Sequence, residues 1–194
     1  MKGINIFLAD GFEDMEALGT NDVLRRGGID VMLISMNEST EVKSSRGVVI
    51  NADTTFGKTD RRSNGTCASD IMIFPGGMPG TKNLAGNEEL INIMKTHYAS
   101  GGSVAAICAA PGLVLGQLGE ELRDVEFTCF DGFQATPSEF GARFIPRPAI
   151  RCGRIVTGRS AGHAVSFGLA ILEMISGKEA AEKVAFSLYL QTEQ

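Results

Sequence analysis

Of the four cysteines in the chain, Cys67, Cys108, Cys129 and Cys152, one sits where a backbone turn could turn a thiol into a nucleophile. Ala105-Ala106-Ile107 reads as the end of a strand, and a helix of small residues opens at once with Ala109-Ala110-Pro111-Gly112. A strand that enters a helix through a single residue forces that residue into an uncommon backbone state. It also lifts the side chain above the sheet, which is the mechanical idea of a nucleophile elbow. A helix N-terminus behind the sulfur stabilises the thiolate, so the sequence predicts a lowered pKa for Cys108. The competing reading is a structural cysteine closing a strand, because free cysteines are commonly buried.

Two further segments end strands and could meet Cys108. Pro75-Gly76-Gly77-Met78-Pro79-Gly80 follows the apolar run Asp70 to Phe74. Bare backbone N–H groups in such a turn can face a developing oxyanion. The turn lacks the Gly-Lys-Ser/Thr ending of a phosphate loop and the spacing of a dinucleotide fingerprint. Asp10-Gly11-Phe12-Glu13-Asp14-Met15-Glu16 follows the first strand and carries several carboxylates. Glu13 and Asp14 suit the start of a helix. Glu16 lies a turn deeper, where a carboxylic acid aimed at Cys108 could shuttle its proton.

These loops need a scaffold that brings them together. Ile4 to Ala9 reads as a buried strand, and Glu13 to Arg26 has helical spacing stopped by Gly27-Gly28. Strands follow over Asp30 to Ser35, over Arg46 to Asn51 near an edge, over Asp70 to Phe74, over Ser103 to Ile107 and over Ile155 to Thr157. Helices are expected over Glu88 to Ser100, Ala109 to Leu118, Ser160 to Ile175 and Glu179 to Leu190. Phe56 to Ala68 is polar and reads as a surface excursion. Alternating strands and helices imply an α/β, doubly wound sandwich with a mostly parallel central sheet, whose sites form at the carboxyl ends of strands. No repeat or linker interrupts the 194 residues, so residues 1–194 read as one domain.

A net charge of −5 argues against nucleic acid as a primary partner. No apolar run is long enough for a membrane span, and the N-terminal stretch does not read as a signal peptide. Unpaired cysteine spacing points to free thiols in a reducing cytoplasm. Neither His97 nor His163 stands at finger spacing to a cysteine, so no metal site is expected. His97 is placed on the polar side of its helix, as a surface residue. His163, in Ser160-Ala161-Gly162-His163, is either a polar first-turn residue or a possible site residue.

The stretches GFEDMEA, FPGGMPGTKNL, AAICAAPGLVL and TGRSAGHAVSFGLAILEMISGKEAA, in that order, resemble the ThiJ/PfpI family over nearly the whole chain. The likeness is to its protein-deglycase branch and that branch's bacterial relatives. It implies a flavodoxin-like fold, a homodimer and a chemistry without cofactor. It implies that Cys108 is the reactive, easily oxidised cysteine and Glu16 the buried, protonated acid bonded to its sulfur. Gly76 and Gly77 match the glycine turn, and Gly77 and Ala109 match the amides of the oxyanion pocket. Arg26 and Arg46 match arginines near the pocket and the dimer contact, where Asp22 would pair with an arginine. Two departures narrow the function. Ala109 stands where the protease-like branch has a histidine, and Phe130 where the deglycase has one. The first expectation is therefore a cysteine-dependent glyoxalase or deglycase acting on a small aldehyde such as methylglyoxal, or on a glycated adduct. The alternative is a redox-responsive stress protein or chaperone whose Cys108 oxidises to sulfinic acid. An amidase or peptidase is the weaker third.

Overall fold

The computed structural model describes residues 1–60, 62 and 65–190. In chain order it contains β1 (Ile4–Leu8), α1 (Asp14–Arg26), β2 (Val31–Ser35), β3 (Glu41–Lys43), β4 (Val49–Asn51), β5 (Thr54–Thr55) and β6 (Ile71–Phe74). Then come α2 (Gly80–Ala85), α3 (Glu88–Ala99), β7 (Ser103–Ile107), α4 (Ala110–Leu113), β8 (Glu126–Phe127), α5 (Ala135–Glu139) and β9 (Arg143–Phe144). β10 (Ala149–Cys152), β11 (Ile155–Gly158), α6 (Ala164–Ser176) and α7 (Lys178–Ser187) complete it.

The central sheet has seven strands in the order β10-β11-β7-β6-β1-β2-β5. Its pairs are parallel except for β10 on β11. Every residue of β1, β6 and β7 is buried, as strands covered on both faces must be. The side chains alternate between two cores with the period-two pleat. Ile6, Ile71, Ile73, Ala105 and Ile107 face the layer of α1, α6 and α7. Phe7, Met72, Phe74, Val104 and Ala106 face the layer of α2, α3 and α4, where the Phe7 and Phe74 rings stack at 5.4 Å.

The chain leaves β1 for β2 on one side and returns to β6 on the other. The strand order therefore reverses between β1 and β6, and the loops at their carboxyl ends diverge there to leave a crevice. That switch point places the three expected segments side by side.

Several local expectations are corrected. The strand expected over Arg46 to Asn51 is confined to Val49–Asn51 and pairs with β3 in a hairpin outside the main sheet. The helix expected over Ala109 to Leu118 stops at Leu113, and Leu115–Leu122 continues as 3₁₀ turns interrupted by Gly119 at φ 64°. Of the stretch 56–68, residues 61, 63 and 64 lie outside the described residues. Phe56 is no surface residue: it is buried edge-on against Phe7. His97 is likewise fully buried rather than exposed, because it continues the apolar stripe of Leu90 and Met94 at i, i+4, i+7.

Candidate active site

Cys108 follows the last residue of β7 and has φ +66°, a left-handed conformation that is uncommon for a residue with a Cβ. Its backbone is pinned on both sides. Its N–H donates to the Gly158 carbonyl at 3.0 Å, and its carbonyl accepts the Phe130 N–H at 2.8 Å. The elbow expected at this residue is present, and the thiol is partly buried.

Glu16, in the first turn of α1, is 1% exposed. Its Oε2 accepts the Gly76 N–H at 2.7 Å. Its Oε1 is buried without a hydrogen-bond partner among the described residues. Gly76 is required by this closeness. A Cβ there would stand 2.5 Å from Glu16 Oε2, 2.7 Å from Cys108 Cβ and 3.1 Å from its Sγ. Acid and thiol thus flank one glycine, and each acts on the other's titration. Gly77 has φ +92°, and a Cβ on it would meet the Glu13 nitrogen at 2.4 Å. The backbone N–H groups of Ala109 and Gly77 lower the Cys108 pKa, against the larger effect of burial. The Gly76 N–H is committed to Glu16 Oε2.

The electrostatics differ from the expectation in one respect. Burial raises Glu16 to about 7, and the charge of Glu13 adds to it against the pull of the thiol and the Gly76 N–H. Cys108 is pushed up to about 12, first by burial and then by the Glu16 carboxylate. The predicted lowering fails because the helix behind the sulfur is only four residues long and the pocket is poorly solvated. Two negative charges cannot share this pocket, so above about pH 7, once the first proton has left, the pair keeps one proton in common. Oε2 accepts the Gly76 N–H, which leaves Oε1 as the oxygen free to take a proton.

The other expected residues are not all brought together. Arg26 ends α1, about 15 Å along its axis from Glu16 at 1.5 Å per residue. It pairs with Asp22 at 2.7 Å within the same helix. Arg46 is exposed in the β3–β4 hairpin. That hairpin is tied to the loop before α1 by Gly11 N–H to Lys43 C=O and Ser45 N–H to Phe12 C=O. His163 Nδ1 lies 3.0 Å from Ser160 Oγ. Among the described residues it makes no hydrogen bond to Cys108 or Glu16. Cys129 is fully buried in the core on the opposite face of the sheet, and burial pushes its thiol up to about 12. Phe130, half exposed, stands beside Cys108, and the following Asp131 pairs with Arg159 at 2.8 Å. Glu13, in sequence no more than a helix start, also lies at the site: its N–H donates to the Gly76 carbonyl at 2.9 Å.

A sequence profile described as the DJ-1/PfpI family matches residues 2–174. The chain belongs to the DJ-1/PfpI family. It is 34% identical over 191 residues to Arabidopsis thaliana Protein DJ-1 homolog A, covering 98% of this chain and 47% of that protein. The chain thus spans about half the length of that plant relative. It is 32% identical over 170 residues to a Caenorhabditis elegans protein named a glutathione-independent glyoxalase, covering 86% of this chain and 84% of that one. Among solved structures it is similar to oxidized Toxoplasma gondii DJ-1. There the TM-score is 0.84 at 30% identity, covering 97% of this chain and 98% of the other. The DJ-1/PfpI fold explains why the acid, the glycine turn and the cysteine come from three successive strand ends.

Proposed function

We propose that the chain is a cofactor-free glyoxalase acting on small reactive aldehydes such as methylglyoxal, with Cys108 as nucleophile and Glu16 as proton carrier. The reading rests on one observation above the others, the buried Glu16 carboxyl flanking the same glycine as the Cys108 thiol. The glyoxalase name of the nematode relative agrees with it. A deglycase acting on glycated adducts would use the same first step.

Sulfur adds to the aldehyde carbon as the thiol proton passes through Glu16 to the carbonyl oxygen, giving a hemithioacetal. The Ala109 and Gly77 amides stabilise the oxyanion as it forms. The Glu16 carboxylate then removes the C1 proton, and the enediol is reprotonated at C2. The result is a lactoyl thioester on Cys108. Water hydrolyses it to lactate and restores the thiol. Oxidation at C1 balances reduction at C2, so no external redox partner enters. The test is lactate release from methylglyoxal by the purified protein. Lactate is expected from the wild type and not from Cys108→Ser; equal release by both would overturn the assignment.

A redox role has its own support. The carboxyl beside the sulfur could donate a hydrogen bond to a sulfinate, and a similar structure is of an oxidized DJ-1. Mass spectrometry after mild peroxide should place two oxygens on Cys108 before exposed Cys67 reacts. The exposed Met15, Val48 and Val49, at the start of α1 and in the hairpin, support a homodimer, which sedimentation would measure. Among the described residues no helix is long and apolar enough to cross a membrane.

A further inference from the structure

We propose that Glu13 is a positioning residue for the Cys108–Glu16 pair, acting through a closed ring of three hydrogen bonds and through the carboxylate charge that this ring holds beside Glu16. The inference rests on that pair being the reactive centre. The Glu13 N–H donates to the Gly76 carbonyl at 2.9 Å. The Gly76 N–H donates to Glu16 Oε2 at 2.7 Å. The Glu16 N–H donates to Glu13 Oε2 at 2.8 Å.

An ordinary N-cap closes only its own helix. This one locks the helix start to the turn after β6, and the lock includes the side chain that meets the sulfur. Glu13 is three residues before Glu16, so its carboxylate caps the backbone of the very residue whose carboxyl it must hold in place. Rotation of Glu16 away from Cys108 would break the bond to Gly76 and open the ring. A helix start needs only a polar cap; serine or aspartate would serve. A glutamate adds a charge close to a buried acid.

That charge has a direction. Glu13 raises the Glu16 pKa and so favours the form in which Glu16 holds the shared proton and sulfur is the thiolate. The groups facing Glu16 are few. Glu13 and Asp14 belong to its own helix start, Cys108 to the β7–α4 turn, and the turn after β6 presents backbone only. His163 lies on the 3₁₀ turn packed against α1. None of the groups acting on the Glu16 charge is a cation that would offset Glu13.

The readout is the pH profile of Cys108 alkylation by iodoacetamide, followed by mass spectrometry, which needs no substrate. In the wild type the rate should rise through about pH 7, where the pair loses its first proton. In Glu13→Gln and Glu13→Ser the inflection should move down by about half to one unit, and the plateau rate should fall about threefold to tenfold, as the free proton returns to sulfur. Glu13→Ser restores a cap without the charge, so its melting temperature should stay near that of the wild type. Glu13→Asp keeps cap and charge and should keep the inflection. A Glu13→Ser profile superimposed on the wild type would overturn the proposal. So would an equal shift in Glu13→Asp, which would assign the effect to side-chain length alone. If the wild type releases no lactate while these shifts are seen, the glyoxalase reading fails and the positioning role stands.

Discussion

The strands β6 and β7 carry a buried titratable side chain at each end. At their amino ends His97 lies against Asp70 and Ser103; at their carboxyl ends Glu16 lies against Gly76 and Cys108. Both are shifted by burial toward their neutral forms, His97 downward and Glu16 upward. The difference is in what surrounds them. His97 Nε2 lies 3.1 Å from the Asp70 carbonyl and 3.0 Å from the Ser103 carbonyl, and Nδ1 lies 3.2 Å from the Met1 amino nitrogen. Every polar atom of the ring is used. Among the described residues Glu16 leaves Oε1 without a partner, beside a residue held at φ +66°. Burial marks neither group as functional. An unmet polar atom next to local strain marks one, and saturation marks the other as structural.

Removing the acid should have the largest effect. Glu16→Gln keeps an acceptor for the Gly76 N–H but cannot take a proton. Methylglyoxal turnover should fall by about 10²–10⁴-fold, the usual contribution of a positioned acid–base group. The Cys108 thiol, freed of the carboxylate, should titrate below its wild-type value of about 12. Alkylation following the wild-type profile in Glu16→Gln would break the contrast at its carboxyl end.

The opposite result belongs to the other end. His97→Ala leaves the Asp70 and Ser103 carbonyls without their buried donor and opens a gap beside Gly102, whose Cβ position lies 2.3 Å from the ring. A loss of about 2–4 kcal/mol is expected, read as a lower urea midpoint. The alkylation profile of Cys108 should not move. A His97 variant that changed thiol reactivity at unchanged stability would show that the two ends are coupled.

This contrast also measures how far the sequence was legible. The three site segments were readable because each ends an apolar strand, and a doubly wound sheet must gather such ends. Cys108 and Glu16 needed only that rule and the family likeness. His97 was misplaced although its signal was present: Leu90, Met94 and His97 form one stripe, and a polar residue on it was read as surface. The thiol pKa had the wrong sign because helix length and solvation decide it. Neither was visible in Ala109-Ala110-Pro111-Gly112. The hairpin of β3 and β4 and the short strands β8, β9 and β10 escaped because segments of two to four residues carry too little periodicity. Glu13 was read as helix dipole, since a cap and a clamp have the same spacing in sequence.

A smaller effect should come from Gly76→Ala. The added methyl collides with Glu16 Oε2 and Cys108 Cβ; Glu16 cannot retreat without opening the ring of bonds around Gly76, and Cys108 is pinned by its backbone bonds to Gly158 and Phe130. Overpacking of this kind costs about 1–3 kcal/mol. Here it should separate acid from thiol, so the inflection near pH 7 should flatten more than stability falls. A methyl accepted with both quantities intact would mean that the closeness of the two side chains is incidental.

The smallest effects, and the sharpest test of the comparison, are two stability slopes of opposite sign. His97 has a folded pKa below its ordinary 6.5. In the window below 6.5 the unfolded chain binds the extra proton, so His97 contributes stability that is present at higher pH and lost as pH falls. Glu16 has a folded pKa of about 7 against 4.5. Between these values the folded chain binds the extra proton, so stability falls as pH rises through that window. Where the windows overlap, the wild type should be nearly flat, because each single-proton slope is at most about 1.4 kcal/mol per pH unit and the two oppose. His97→Gln should therefore lose stability from pH 5 to 6.5, and Glu16→Gln should gain it over the same range. Urea midpoints of the three proteins at half-unit intervals would show the curves fanning apart. Parallel curves would mean that both groups keep their ordinary pKa, and that the ends of β6 and β7 are not the electrostatic opposites their packing makes them.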